Sequence, residues 1–141
     1  MHVHVIGIGT RRGDDAAGLA VVESLDRGAL PPGTRVSVCE RPLPDLLELL
    51  AGADAAVLVD AAHGAGPRGV VRRAAGHDLL RADATSSHGF GVAHVLDLAA
   101  ALDRAPARVD IVAIEGADPP AIAAGVRAVV SLVRELAASG G

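Results

Sequence analysis

Residues 7–18 read GIGTRRGDDAAG. An apolar run, VHVIGIG at 3–9, leads into them, and Leu19, Val22 and Leu25 then recur at three-residue spacing. The stretch is therefore the bend from a buried strand into an amphipathic helix. Glycine-rich bends of this kind often receive phosphate, because the first N–H groups of the helix point out of them. Here the chemistry is reversed. The dinucleotide fingerprint needs glycine at the sixth place of G-x-G-x-x-G, where this chain has Arg12, and no Lys-Ser or Lys-Thr follows as a phosphate loop requires. Asp14 and Asp15 would repel a phosphate. They suit the positive end of a helix dipole and, with donors from other loops, a cation.

Outward from this bend, apolar runs suited to strands fall at 34–39 (TRVSVC), 55–60 (AAVLVD), 69–73 (GVVRR) and 108–114 (RVDIVAI). Helical stripes separate them. Leu43, Leu46, Leu47 and Leu50 form one; Val92, Val95, Leu96, Ala99 and Leu102 form another. Ile122, Val126, Val129, Val130, Val133 and Leu136 form the longest. LPPGT at 30–34 and GAGPRG at 64–69 read as turns. ADPP at 117–120 opens the last helix, with Asp118 as N-cap and Pro119 at the first helical position. Alternating strands and helices with short connections predict a three-layer α/β/α domain over residues 1–141. Its sheet is five-stranded, twisted and mostly parallel, of a phosphorylase/hydrolase-like kind. The run at 69–73 follows its predecessor too closely for a helical crossover, so it is expected antiparallel or at an edge.

Composition narrows the function classes. The 141 residues are 50% hydrophobic but almost free of aromatics, Phe90 being alone, so aliphatic packing must form the core. All basic residues are Arg, 13 in number, and a net charge of −4 without a basic block argues against a nucleic-acid surface. The N-terminus lacks the basic region and cleavage site of a signal peptide. No apolar stretch approaches the roughly 18 residues of a membrane helix. The lone cysteine, Cys39, forms no internal disulfide and fits a reducing cytoplasm.

Ligands of open α/β sheets sit beyond the carboxyl ends of strands, at a switch point in strand order. Asp14 and Asp15 follow the first strand, Asp60 ends the VLVD strand near solvent, and His88 lies in ATSSHGFG before the third helix. Carboxylates and an imidazole from different loops can hold a divalent transition metal with positions left open. Plainer roles cover the other polar residues. Cys39 reads as a buried structural thiol, and Ser86 and Ser87 as caps of the helix after His88. His2 and His4 read as incidental to one side of the first strand. His94, six places after His88, turns away from it. His63, three residues past Asp60, is the reserve ligand or acid–base group. Arg11 and Arg12 are solvated loop charges able to grip an acidic or C-terminal segment.

These motifs resemble those of the hydrogenase maturation proteases, endopeptidases that trim the C-terminal extension of nickel-iron hydrogenase large subunits. GIGTRRGDDAAG is similar to that family's Gly-x-Gly-Asn, acid pair and following glycine. VLVDAAHGAGPRGVV resembles its strand ending in Asp with a Pro-Gly turn, and SSHGFGVAHVL its His-containing loop. VDIVAIEGADPPAIAAGVRAVVSLVREL fits its last strand and helix, so the likeness runs over nearly the whole chain. The resemblance implies metal ligands at Asp15, Asp60 and His88, and a water activated by the metal, by Asp14 or by Asp15. It implies nickel brought by the hydrogenase large-subunit precursor, so that the isolated protein holds none firmly or carries another divalent ion. A cytoplasmic monomer without nucleic-acid or membrane partners is expected. Thr10 stands where the family has Asn, Asp15 is shorter than the Glu of some members, and CERPLPD at 39–45 replaces a glycine-rich segment. A nickel-dependent binding module or chaperone that does not cut its client is the competing reading.

Overall fold

Val3–Ile8 forms the first strand, β1, buried along its whole length. The computed structural model describes residues 2–64, 66–75 and 89–139. Arg35–Cys39 (β2) and Ala55–Ala62 (β3) pair with β1 on either side, both parallel. Arg108–Glu115 (β5) lies parallel to β3, and Val71–Ala75 (β4) closes the far edge antiparallel to β5. The order is β2-β1-β3-β5-β4. The sheet is thus five-stranded with one antiparallel strand, as the short connection before β4 predicts.

β1 and β3 are uniformly apolar because parallel strands at the centre of such a sheet are covered on both faces. Ala17–Glu23 (α1) and Pro119–Ser139 (α4) cover one face through Val21, Val22, Val129, Leu132, Val133 and Leu136 against Val5, Val57, Val59 and Ile114. Leu47–Leu50 (α2) and Gly89–Ala101 (α3) cover the other through Leu50, Val92, Val95 and Ala99 against Ile6, Ile8, Leu58 and Ala113. Both cores are aliphatic.

Four details differ from the sequence reading. β3 runs two residues past Asp60, because β5 continues alongside it to the pair Ala62↔Glu115. β4 starts at Val71 and not at 69: Val70 N–H closes a turn onto Pro67 O at 3.1 Å, and Gly69, at φ 94°, takes a conformation that glycine alone adopts easily. The stripe at 43–50 is a π-helical turn, Pro42–Leu46, running into the short helix α2. Leu102 lies beyond the end of α3 and is 49% exposed, so it leaves its stripe.

Candidate functional site

β1 connects through α1 to β2 on one side, whereas the chain returns from β2 to β3 on the other. The carboxyl ends of β1 and β3 therefore flank the switch point where open α/β sheets bind ligands. Asp14 and Asp15 stand at that end, in a 3-10 turn (Gly13–Ala16) that precedes α1. Gly13 bends the backbone at φ 54°, and Asp15 N–H donates to Arg12 O at 3.1 Å.

Glycines 7, 9 and 18 let this turn sit tight on the sheet. A Cβ on Gly18 would strike the carbonyl oxygens of Val59 and Ile8, and one on Gly9 would strike that of Asp15. A Cβ on Gly7 would lie 2.7 Å from Gly18 O. The spaced glycines of the opening motif are thus close-approach positions between β1, β3 and α1, with no phosphate in the argument.

Asp60 belongs to the same end of the sheet. Ala56, Leu58 and Ala62 pack on the α2–α3 face, so strand alternation directs Asp60 there too. It is 3% exposed, which corrects the expectation of a strand-end residue near solvent. Its Oδ1 accepts the Ala61 N–H at 2.8 Å. Glu115, buried at the end of β5 and next to Ala62, faces the same side by the same alternation.

His63 is brought to the acid pair. Its Nε2 lies 2.9 Å from Asp15 Oδ1, and because a carboxylate only accepts, Nε2–H is the donor. Arg68 grips the other acid: Nη1 and Nη2 donate to the two oxygens of Asp14 at 2.9 and 3.0 Å. Its Nε donates to Asp118 Oδ1 at 3.0 Å. Hydrogen bonding to Arg68 holds the Asp14 carboxyl below the usual aspartate range, and the same bonds raise the guanidinium. Asp118 does precede α4, but its side chain reaches Arg68, a partner that sequence alone does not suggest.

The plainer readings hold at several positions. His4 is fully buried between Leu49 O (2.8 Å from Nδ1) and Ser37 Oγ (2.7 Å from Nε2), and burial lowers its pKa. The carbonyl only accepts, so Nδ1 carries the proton and Ser37 donates to Nε2. Cys39 is buried, donates its thiol to Arg41 O at 3.2 Å, and burial pushes its pKa up. Arg11 pairs with Glu23 at 2.6 Å on the surface, and His94 is exposed on α3. Thr10 donates its backbone N–H to Asp15 O at 3.3 Å. Its buried hydroxyl meets no hydrogen-bond partner among the described residues.

His88, Ser86 and Ser87 lie outside the described residues. Among the described residues, no three His, Cys, Asp or Glu side chains gather closely enough to hold a metal ion. No helix among them is long and apolar enough to cross a membrane.

No family model matches the sequence, and no curated protein matches it. Solved structures do match the fold. The hydrogenase maturating endopeptidase HybD from E. coli superposes with a TM-score of 0.74 at 20% identity, covering 96% of this chain and 93% of that one. The [NiFe] hydrogenase maturation protease HybD from Thermococcus kodakarensis gives 0.71 at 25% identity over 96% and 99%. An endopeptidase from Escherichia coli gives 0.77 at 21% over 96% and 93%. The resemblance first visible in three short motifs thus extends to the whole architecture: from β1 to α4, this chain has the fold of the hydrogenase maturation proteases.

Proposed function

We propose that the protein is an endopeptidase that removes the C-terminal extension of a nickel-loaded hydrogenase large-subunit precursor, in the cytoplasm and as a monomer. The observation that carries this is that Asp15, in the turn after β1, and the buried Asp60, near the end of β3, stand at the two strand ends flanking the switch point. The fold that holds them is one whose solved examples are named as maturation proteases.

Nickel enters as part of the client. Asp15, Asp60 and, through the motif resemblance, His88 are the residues that would grip it. Two carboxylates and one imidazole suit a divalent transition ion, and three protein donors leave room for ligands of the precursor. The metal would supply Lewis acidity at the scissile segment. Asp14 has both oxygens committed to Arg68, so Asp15 is the better-placed carboxylate to take a proton from an attacking water. Water oxygen then bonds to the carbonyl carbon, the C–N bond breaks, and the proton passes to the departing amine. His63 orients Asp15 throughout.

The test is incubation of purified protein with nickel-loaded and nickel-free precursor, read by mass spectrometry. Loss of the extension from the loaded precursor alone is expected, and Asp60→Asn should abolish it while the variant keeps its fold. Equal cutting of both precursors overturns nickel recognition. Tight binding without cutting makes the protein the non-cleaving nickel-dependent module instead.

A further inference from the structure

One side chain joins three loops at the carboxyl edge of the sheet. Arg68, in the β3–β4 connection, holds Asp14 of the β1–α1 bend with two bonds and Asp118 of the β5–α4 bend with a third. The three side chains are 56%, 42% and 38% exposed. A single ion pair that exposed contributes little. A guanidinium fork on both oxygens of one carboxylate, with its remaining edge on another, fixes direction as well as distance. Gly116 makes room for it. At φ 89°, a Cβ there would lie 3.0 Å from Arg68 Cζ and 2.9 Å from Asp118 Oδ1.

Asp14 and Asp15 are neighbours on one 3-10 turn, so whatever fixes Asp14 fixes the backbone that aims Asp15. His63 reaches Asp15 from the same β3–β4 connection. The connection therefore holds the acid pair at two points, one carboxylate each. The turn needs that support: no side chain caps it, and the helix it leads into is only seven residues long.

We propose that Arg68 is a positioning residue for Asp15: by clamping Asp14 and Asp118 it holds the 3-10 turn so that the Asp15 carboxylate faces the switch point. The proposal rests on the endopeptidase reading for its activity readout only. Arg68→Ala should lower kcat on nickel-loaded precursor by on the order of ten-fold or more, the scale of a misplaced catalytic group, with KM little changed. Free guanidinium at low millimolar concentration should restore part of the rate, since the fork it replaces is open to solvent. Arg68→Lys, with the charge but without the fork, should stay slow. Asp14→Asn combined with Arg68→Ala should be no slower than Arg68→Ala alone. An Arg68→Ala rate equal to that of the unaltered protein overturns the proposal, as does a slow variant that neither guanidinium nor the double substitution distinguishes from general damage. Amide exchange separates this failure from failure of the functional reading. If the unaltered protein cuts no precursor, faster exchange at residues 13–16 in Arg68→Ala still supports the clamp, and unchanged exchange there overturns it.

Discussion

Gly18→Ala places a single methyl between three elements, and its cost can be worked from the backbone. A Cβ at residue 18 meets Val59 O of β3 and Ile8 O of β1, the latter at 2.5 Å. Ordinary carbon–oxygen contacts are about 3.3–3.6 Å, so α1 must retreat by roughly 1 Å. The two oxygens cannot yield, because they belong to the central strands of a sheet paired on both sides. Retreat opens a gap under Leu19, Val21 and Val22, all buried. A gap of about 0.5–1 Å forfeits a quarter to a half of a contact well, on side chains whose burial contributes about 1.5–3 kcal/mol each. Three such losses come to about 1–4 kcal/mol, and the higher helix propensity of Ala returns at most about 1 kcal/mol. A net loss of about 2 kcal/mol should lower Tm by roughly 5–8 °C for a domain of this size, read by circular dichroism. Gly125→Ala is the matched control. Its Cβ meets the Val21 Cγ2 methyl at 2.6 Å and the Ile114 Cγ1 methylene at 3.0 Å, and side-chain carbons can turn aside where carbonyls cannot. A Gly18→Ala protein that melts as high as Gly125→Ala would refute the argument that this motif glycine serves backbone approach. Because α1 follows directly on the turn bearing Asp15, Gly18→Ala should also slow cleavage.

Two further outcomes follow from buried groups. His4 is held neutral by burial, with its pKa lowered from the ordinary 6.5. The unfolded chain then binds the extra proton first, so stability present above pH 6.5 should fall as pH drops below it, by at most about 1.4 kcal/mol per pH unit, and level off below the folded pKa. Urea titrations across that range should show a flatter profile for His4→Gln, and equal profiles would remove His4 as the source. Cys39, buried and raised in pKa by that burial, should react with a thiol reagent only as fast as the protein opens. Cys39→Ser should cut precursor at nearly the unaltered rate, and a large loss of activity would give the thiol a role beyond packing.

Much of the architecture was legible in the sequence because local pattern and global fold agree. Apolar runs bounded by glycine and proline became β1, β2, β3 and β5, and the three-residue spacing of Leu19 and Val22 became α1. The misjudged boundaries have specific causes. Ala61 and Ala62 carry no strand signature of their own; they are strand because β5 offers partners as far as Glu115. That extension buries Asp60, whose seclusion no alternation pattern could announce. Gly69 and Val70 look like the start of an extended run and do bond to Glu115 of β5, through Gly69 N–H at 2.7 Å and Val70 O at 3.0 Å, yet the turn closed by Val70 N–H on Pro67 O keeps them out of the regular ladder.

The site divides along the same line. Asp14, Asp15 and Asp60 could be singled out as candidates because strand ends near a switch point are short-range features of the chain. Arg68 could not: in GAGPRG it is one arginine in a turn, and its meaning depends on Asp14 and Asp118, 54 and 50 residues away. His63 stood between the two cases, near enough to Asp60 to attract notice but joined in space to Asp15. Both long-range partners come from the β3–β4 connection, which the sequence presents only as a Pro-Gly turn. The first bend supplies the acid pair, and in the proposed reading the turn after β3 aims it. Swapping the 63–70 segment for a plain glycine-serine linker of equal length is thus expected to leave β1, α1 and Asp60 in place while cleavage falls by more than Arg68→Ala alone causes. Since the linker removes both grips, restoring only His63 within it should recover part of the difference, measured as kcat on nickel-loaded precursor. Full activity of the linker protein would show that the acid pair needs no such support.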